Sequence, residues 1–165
     1  MAGSASRRIR GCGLAILGIV GEIFFEDKVV VHYKNGRILK GHTKDFNPEV
    51  DGFNLQPYSQ GETARSVALE ELKAVFHVKT FEGNPDHSPS PEAVGEIPDP
   101  RYAVAMNKGK KTLLEFKDGE RMWGYATGVE RSQPGFFFFP TDPGSNNLRV
   151  YVIRTALQNL VHLDD

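Results

Sequence analysis

The chain repeats itself. Residues 28–41 read Lys-Val-Val-Val-His-Tyr-Lys-Asn-Gly-Arg-Ile-Leu-Lys-Gly, and residues 111–124, 83 positions on, read Lys-Thr-Leu-Leu-Glu-Phe-Lys-Asp-Gly-Glu-Arg-Met-Trp-Gly. The offset holds without a gap to Pro57 and Pro140. On the way it matches Lys34 with Lys117, Gly36 with Gly119, Gly41 with Gly124, Gly52 with Gly135 and Phe53 with Phe136. Each copy must fold as one unit in the same way, so the fold of one is the fold of both.

Two copies sample every position twice, and this separates the faces of the strands. Val29, Val31 and Tyr33 match Thr112, Leu114 and Phe116, while Val30 and His32 match Leu113 and Glu115. The odd-numbered set of the first copy is therefore expected inside. After the turn, Leu39 matches Met122, whereas Ile38 and Lys40 match Arg121 and Trp123. A two-residue loop at Asn35-Gly36 would pair Tyr33 with Ile38 and invert the faces. A three-residue loop at 34–36, with Gly36 left-handed, pairs Tyr33 with Arg37 and Val31 with Leu39. Gly41 and Gly124 then fall in mid-strand, where glycine marks the bend of a closing barrel.

A third strand is expected at 52–56, stopped by Pro57, and at 135–139, stopped by Pro140. Turn-rich loops follow at 58–66 and 141–147. The repeat resumes with its offset enlarged to 85, matching Val67, Leu72, Val75, His77 and Val78 with Val152, Leu157, Leu160, His162 and Leu163. Each of these segments reads as a short helical turn, at 69–72 and 154–157, leading into a last strand. Pro85, Pro89, Pro91, Pro98 and Pro100 give the stretch between the copies the extended character of a linker. Residues 19–25 and 103–106 add a candidate strand ahead of each copy. The organisation expected is an N-terminal extension (1–27), a first repeat (28–80), a Pro-rich linker (81–100) and a second repeat (101–165).

Hydrophobic residues at 39% and charged residues at 25% describe a soluble globular chain. The net charge of −1 supplies no overall field for nucleic acid or an anionic membrane. Cys12, the only cysteine, excludes an intramolecular disulfide and a cysteine-rich metal site, and a reducing cytoplasm is the expected setting. Arg7-Arg8-Ile9-Arg10 ahead of an apolar run at 14–20 looks like part of a secretion signal. That run is shorter than the roughly 20 residues a bilayer needs, and no small-residue cleavage pattern follows it.

The frame apolar-x-apolar-x-aromatic-x-(Asn/Asp)-Gly-x-x-apolar-x-Gly is carried by Val29, Val31, Tyr33, Asn35-Gly36, Leu39 and Gly41. With Phe46-Asn47 and Phe53-x-Leu55 it resembles the first half of the Sm-like small barrels. The resemblance implies a mainly β chain of two tandem five-stranded Sm/SH3-like small barrels related by internal duplication. Over roughly 28–163, the run Lys-Val-Val-Val-His-Tyr-x-x-Gly-Arg with Leu72-Lys73-Ala74-Val75-Phe76 also resembles a bacterial family of uncharacterised domains, as do Gly135-Phe136-Phe137, Asp142-Pro143 and Ser145-Asn146-Asn147. That resemblance implies no activity.

RNA binding, which the Sm resemblance raises, meets three departures. Asp51-Gly52 stands where the base-binding Asn would be, no Arg-Gly follows Val78 or Leu163, and no basic stripe is interleaved with aromatics. A cyclic di-guanylate site of the PilZ kind needs Arg-x-x-x-Arg and Asp/Asn-x-Ser-x-x-Gly. Arg149 and Arg154 are one residue too far apart for that, and Ser145 lacks the glycine. His32 and His42 lie roughly 13 Å apart along the register, so they cannot share a metal. Asp142, Ser145, Asn146 and Asn147 beside Pro143-Gly144 read as turn formers. No catalytic residue, cofactor or metal site is expected, and the chain is read as non-enzymatic. What exceeds expectation is an apolar patch: Leu113, Trp123, Phe137 and Phe139 stand where the first copy has Val30, Lys40, Asn54 and Gln56. Exposed aromatic clusters mark interfaces. The expected cover is the first copy, the 14–20 segment or a second chain. The function expected is an interaction or regulatory module acting through a protein partner or self-association; a ligand-binding barrel for RNA or cyclic di-guanylate is the alternative.

Overall fold

The computed structural model describes residues 27–83, 86–87, 97, 100–102, 104 and 108–163. Within them the chain is mainly β. The first half holds β1 (Asp27–Tyr33), β2 (Ile38–Thr43), β3 (Gly52–Pro57), β4 (Arg65–Ala68) and β5 (Leu72–Val78). The second holds β6 (Lys110–Phe116), β7 (Arg121–Thr127), β8 (Gly135–Pro140), β9 (Asn147–Ile153) and β10 (Leu157–His162). A single 3-10 turn joins β4 to β5 at Leu69–Glu71, and another joins β9 to β10 at Arg154–Ala156. β4 and β9 take up the ends of segments that read as loops. The expected strand at 19–25 lies outside the described residues, and of 103–106 only Val104 is described, in a turn.

The hairpin register is the one the repeat requires. Val31 pairs with Leu39 and Val29 with Gly41, and the Tyr33 amide donates to the Arg37 carbonyl at 2.8 Å. Gly36 and Gly119 close the two loops at φ 92° and 96°, a conformation that glycine adopts without steric cost. Gly41 and Gly124 are required by close approach: a Cβ at either would stand 2.2 Å from the Gln56 or Phe139 carbonyl oxygen of the next strand.

The ten strands form one antiparallel sheet in the order β10-β6-β7-β8-β9-β5-β1-β2-β3-β4. The two halves share one internal five-strand order, and the ten-stranded sheet they form is not closed; it does not by itself establish the two small barrels expected from the sequence. What joins the halves is β5 against β9, with Ala74 opposite Val152, Val75 opposite Tyr151 and Phe76 opposite Val150. Every residue of β5 is buried. Its alternation sends Ala74, Phe76 and Val78 into a core with Leu114, Phe116, Phe136 and Phe138, while Val75, and Leu72 across a register shift, join Val29, Val31, Phe53 and Leu55. β9 does the converse: Val150 and Val152 enter the second core, Tyr151 and Ile153 the first.

Polar groups at the seam are held in place by both halves. Lys73, only 7% exposed on β5, donates to Asp118 at 2.6 Å and to Glu120, both in the turn between β6 and β7, and its ammonium lies 4.7 Å from the Phe116 ring centre. Lys34 reaches the other way, to the Thr155 hydroxyl at 2.6 Å. His77 is buried with neither ring nitrogen in hydrogen-bonding geometry, and the Asp27 carboxylate stands 3.4 Å from Nδ1. Burial lowers the His77 pKa from its ordinary 6.5, Asp27 raises it, Arg149 lowers it again, and the net is downward. The pKa of His32 is also lowered, by burial first and then by Lys73.

Two predictions follow from a shared seam. Trp123, the only tryptophan, sits in the second half, so its emission reports that half alone. Leu55→Ala in the first core should destabilise the chain by about 2–5 kcal/mol. The urea midpoint read from Trp123 should move by as much as that read from far-UV circular dichroism, whereas independent halves would leave the tryptophan transition in place. The second prediction concerns pH. A histidine whose folded pKa is depressed contributes stability that is present above its unfolded pKa and lost as pH falls through the folded value. Unfolding free energy measured at about pH 7 should therefore exceed that at about pH 5, with a smaller difference in His77→Gln. An equal difference in the variant would remove His77 as a source.

Candidate functional site

The sheet's fusion brings two equivalent loops to one place: 44–50 between β2 and β3, and 128–133 between β7 and β8. Between them opens a cleft of about 550 Å³. Its floor is Phe136, Phe137, Phe139 and Tyr151. Pro48 and Glu49 form one bank, Glu130, Arg131 and Gln133 the other, and Val104 and Lys108 close an end. The floor comes from strand alternation: Phe137 and Phe139 share the outer face of β8, while Tyr151 of β9 passes beneath, its ring so close to Gly135 that a Cβ there would stand 2.8 Å from it.

Phe46, an aromatic in an otherwise polar loop, packs edge-on against Phe53, His77 and Tyr151 at 5.2–5.6 Å and approaches Phe137 at 6.3 Å. One side chain of the first half thus props both sides of the seam. The Arg149 guanidinium lies 4.7 Å from the Phe137 ring centre and 5.5 Å from that of Tyr102, and 3.9 Å from the Asp27 carboxylate. Cation–π stacking of this kind covers an aromatic face without removing its polar neighbour from reach.

The four residues of the expected patch lie on one outer face but do not share one fate. Phe139 is buried at 7% exposure with Tyr125 and Ile97, against Tyr102. Phe137 is half-buried between that cluster and the first core. Their cover is thus the first half, through Phe46, together with Ile97 of the linker and Tyr102 just after it; the 14–20 segment lies outside the described residues. Leu113 and Trp123 pair with each other across β6 and β7, with Val161 of β10 opposite Leu113, and all three keep solvent contact.

Trp123 borders a second, smaller pocket of about 270 Å³ with His87, Asp142 and 145–147. His87 Nε2 lies 2.6 Å from Asp142. The other carboxylate oxygen of Asp142 accepts the Gly144 amide, and its carbonyl accepts that of Ser145. The Ser145 hydroxyl accepts the Asn147 amide. Asn146 accepts from the Thr80 amide and hydroxyl and donates to its carbonyl, so the Ser-Asn-Asn turn fastens the end of β5 and the start of the linker to the second half. These are turn and latch bonds, and they occupy the polar groups that could be read as a catalytic loop.

Each remaining histidine packs on an aromatic or within its own half. His32 lies 4.6 Å from the Phe76 ring, His42 5.2 Å from Phe81, and His162 Nδ1 3.0 Å from the Thr112 hydroxyl. Among the described residues no group of three or more His, Cys, Asp or Glu side chains is placed to hold a metal, and no helix is long and apolar enough to cross a membrane. The aromatic cleft with its mixed-charge rim is suited to binding an apolar segment. Tyr102 and Ile97, which pack against Phe139, and Arg149, which stacks on Phe137, carry no sequence signal for those contacts. Phe46 carried a signal, an aromatic between Asp45 and Asn47, that marks a loop side chain bound for a core.

No curated protein and no solved structure matches the chain. A family model matches residues 25–163, all ten strands included, and by that match the chain belongs to the family of unknown function DUF6982.

Proposed function

We propose that this chain is a non-enzymatic interaction module that acts through protein contacts, taking an apolar segment of a partner protein into the cleft between its halves. The carrying observation is the aromatic floor of that cleft, about 550 Å³ in size and bounded by loops of both halves. Its volume falls in the roughly 300–1,000 Å³ range of sites that bury a ligand, and such sites pair an apolar lining with a few placed polar groups. Phe137 and Phe139 of the expected patch contribute the floor, while Leu113 and Trp123 extend the same outer face. Glu49 and Glu130 beside Lys108 and Arg131 give the rim charges of both signs, which suits a peptide better than a polyanion. The matching strand order of the halves supports reading them as two copies of one Sm/SH3-like unit joined edge to edge. The setting is a bacterial cytoplasm in this reading, on the family resemblance and the single cysteine.

The two kinds of residue at the cleft should separate by mutation. Phe139→Ala removes a buried ring and should cost about 3–5 kcal/mol in urea unfolding. Val104 lines the cleft and is 58% exposed. Val104→Asp should change stability by no more than about 0.5 kcal/mol, yet reduce capture of a protein partner from native extract by about tenfold, a difference of about 1.4 kcal/mol in binding. Equal capture by wild type and variant would reject the cleft as the docking site. Retention of the chain on single-stranded RNA that falls steeply with salt would replace the protein partner with a nucleic acid.

A further inference from the structure

Arg149 stands beside the floor of the cleft with its hydrogen-bonding capacity unspent. It lies on β9, directly opposite His77 of β5. Its guanidinium is held 4.7 Å from the centre of the Phe137 ring, which forms part of the floor, and 5.5 Å from that of Tyr102. The side chain keeps 25% exposure, while Nε is buried and makes no hydrogen bond. The Asp27 carboxylate balances part of the charge. At 3.9 Å it is beyond hydrogen-bonding reach, and the same oxygen stands closer, at 3.4 Å, to His77 Nδ1. Among the described residues no N–H of this guanidinium is hydrogen-bonded within the chain. Arg154 shows the contrast. It too lies against a ring, that of Phe136 at 5.3 Å, yet it donates to the Gln133, Gly128 and Arg131 carbonyls. One arginine ties down a loop; the other is held flat and ties nothing. A polar group left without partners in a native fold calls for a cause, and a ligand is one. The position matching Arg149 in the first copy is Ala64, so the shared fold does not require an arginine there.

We infer that Arg149 receives a carboxylate of the bound segment, so that the cleft takes an apolar segment carrying an aspartate or a glutamate. This rests on the docking role proposed above and names the chemistry of the partner. The rim does not select for charge, since Lys108 and Arg131 offset Glu49 and Glu130. Arg149 is the group that does. A guanidinium presents a planar fork of donors that matches a carboxylate bidentately, and stacking on rings fixes that plane before the ligand arrives. Asp27 makes a singly charged carboxylate a better guest than a doubly charged phosphate, because its repulsion grows with the charge of the guest.

A phage-displayed library of random peptides, panned on the full chain, supplies the probe. Apolar peptides that carry Asp or Glu should be enriched, and Val104→Asp should lose them. Replacing the acid of a selected peptide by its amide should weaken binding to wild type about tenfold, the size expected of hydrogen bonds to a charged group. The same replacement should change nothing in Arg149→Gln, whose urea midpoint reports whether it is folded. Arg149→Lys keeps the charge without the fork and should restore only part of the difference. Acid and amide peptides binding wild type equally would overturn the inference, as would an acid preference that persists in Arg149→Gln, which would assign it to Lys108 or Arg131. Full restoration by lysine would overturn the bidentate contact. Selected peptides that lack an acid but depend on Val104 would sink the role of Arg149 alone. Retention indifferent to Val104→Asp, or no peptide retained, would sink the docking reading itself.

Discussion

Everything in this fold depends on two strands that have no outside. β5 and β9 lie side by side in the middle of the sheet, and each gives one face to the first core and the other face to the second. A strand of this kind cannot be half polar. Its sequence must be a continuous apolar run, and Leu72-Lys73-Ala74-Val75-Phe76-His77-Val78 comes close, with Lys73 and His77 as its two exceptions. Both exceptions are met by groups from elsewhere in the sheet, Lys73 by the turn between β6 and β7 and His77 by β1 and β9. Lys73 lies buried with its ammonium between two carboxylates, and breaking such a pair by removing one partner is costly because the other charge is stranded. Burial lowers the His77 pKa, with Arg149 acting in the same direction and Asp27 against it. Neither core is complete without a strand of the other half, so the halves are parts of one cooperative unit.

The same comparison explains where the sheet stops. β10 is the counterpart of β5 and β4 of β9, and they form the two open edges. Where β5 has Ala74 and Phe76, β10 has Asn159 and Val161; where β9 has Val150 and Tyr151, β4 has Arg65 and Ser66. Charged and polar residues on an edge discourage a further strand from adding. The seam that joins the halves is therefore not repeated outward, although the backbone geometry of the edges resembles that of the seam.

Sequence comparison of the copies was sufficient for the local structure. The turn at Gly36, the pairing of Val31 with Leu39 and the inward set of β1 follow from two samples of a period-two pattern, because a one-residue slip would expose every buried side chain. The joining of the halves was harder to see, since it is a pairing between residues 69 to 78 positions apart and no local rule sets it. Its trace was present in the difference between the copies: Ala74 against Asn159, and Tyr151 against Ser66. Averaging the copies to find their common faces discards that difference. The cover over Phe139 escaped for another reason. Ile97 and Tyr102 flank Pro98 and Pro100, where the spacing of prolines reads as an extended linker, and the scattered apolar residues there give no period to follow.

The cleft shows how duplication creates a site that neither copy has. In the first half, the position matching Phe137 is Asn54, whose amide and side chain both bond the Asp45 carboxylate at 3.0 Å and close the loop over the sheet. In the second half, the counterpart of Asp45 is Gly128, at φ 71°, and the loop is held from another strand end instead, by the Arg154 guanidinium, which donates to the Gly128, Arg131 and Gln133 carbonyls. Replacing an Asp–Asn pair with a glycine and a phenylalanine puts an aromatic ring beside the loop where the first half has a polar side chain. That ring would be a liability on a free unit, where an apolar patch of this kind invites non-specific association. It is tolerable here because fusion brings Phe46, Pro48 and Glu49 of the first half over one side of it and converts a patch into a concave site. A concave surface that exists only when both copies are joined also gives a physical reason for keeping them in one chain.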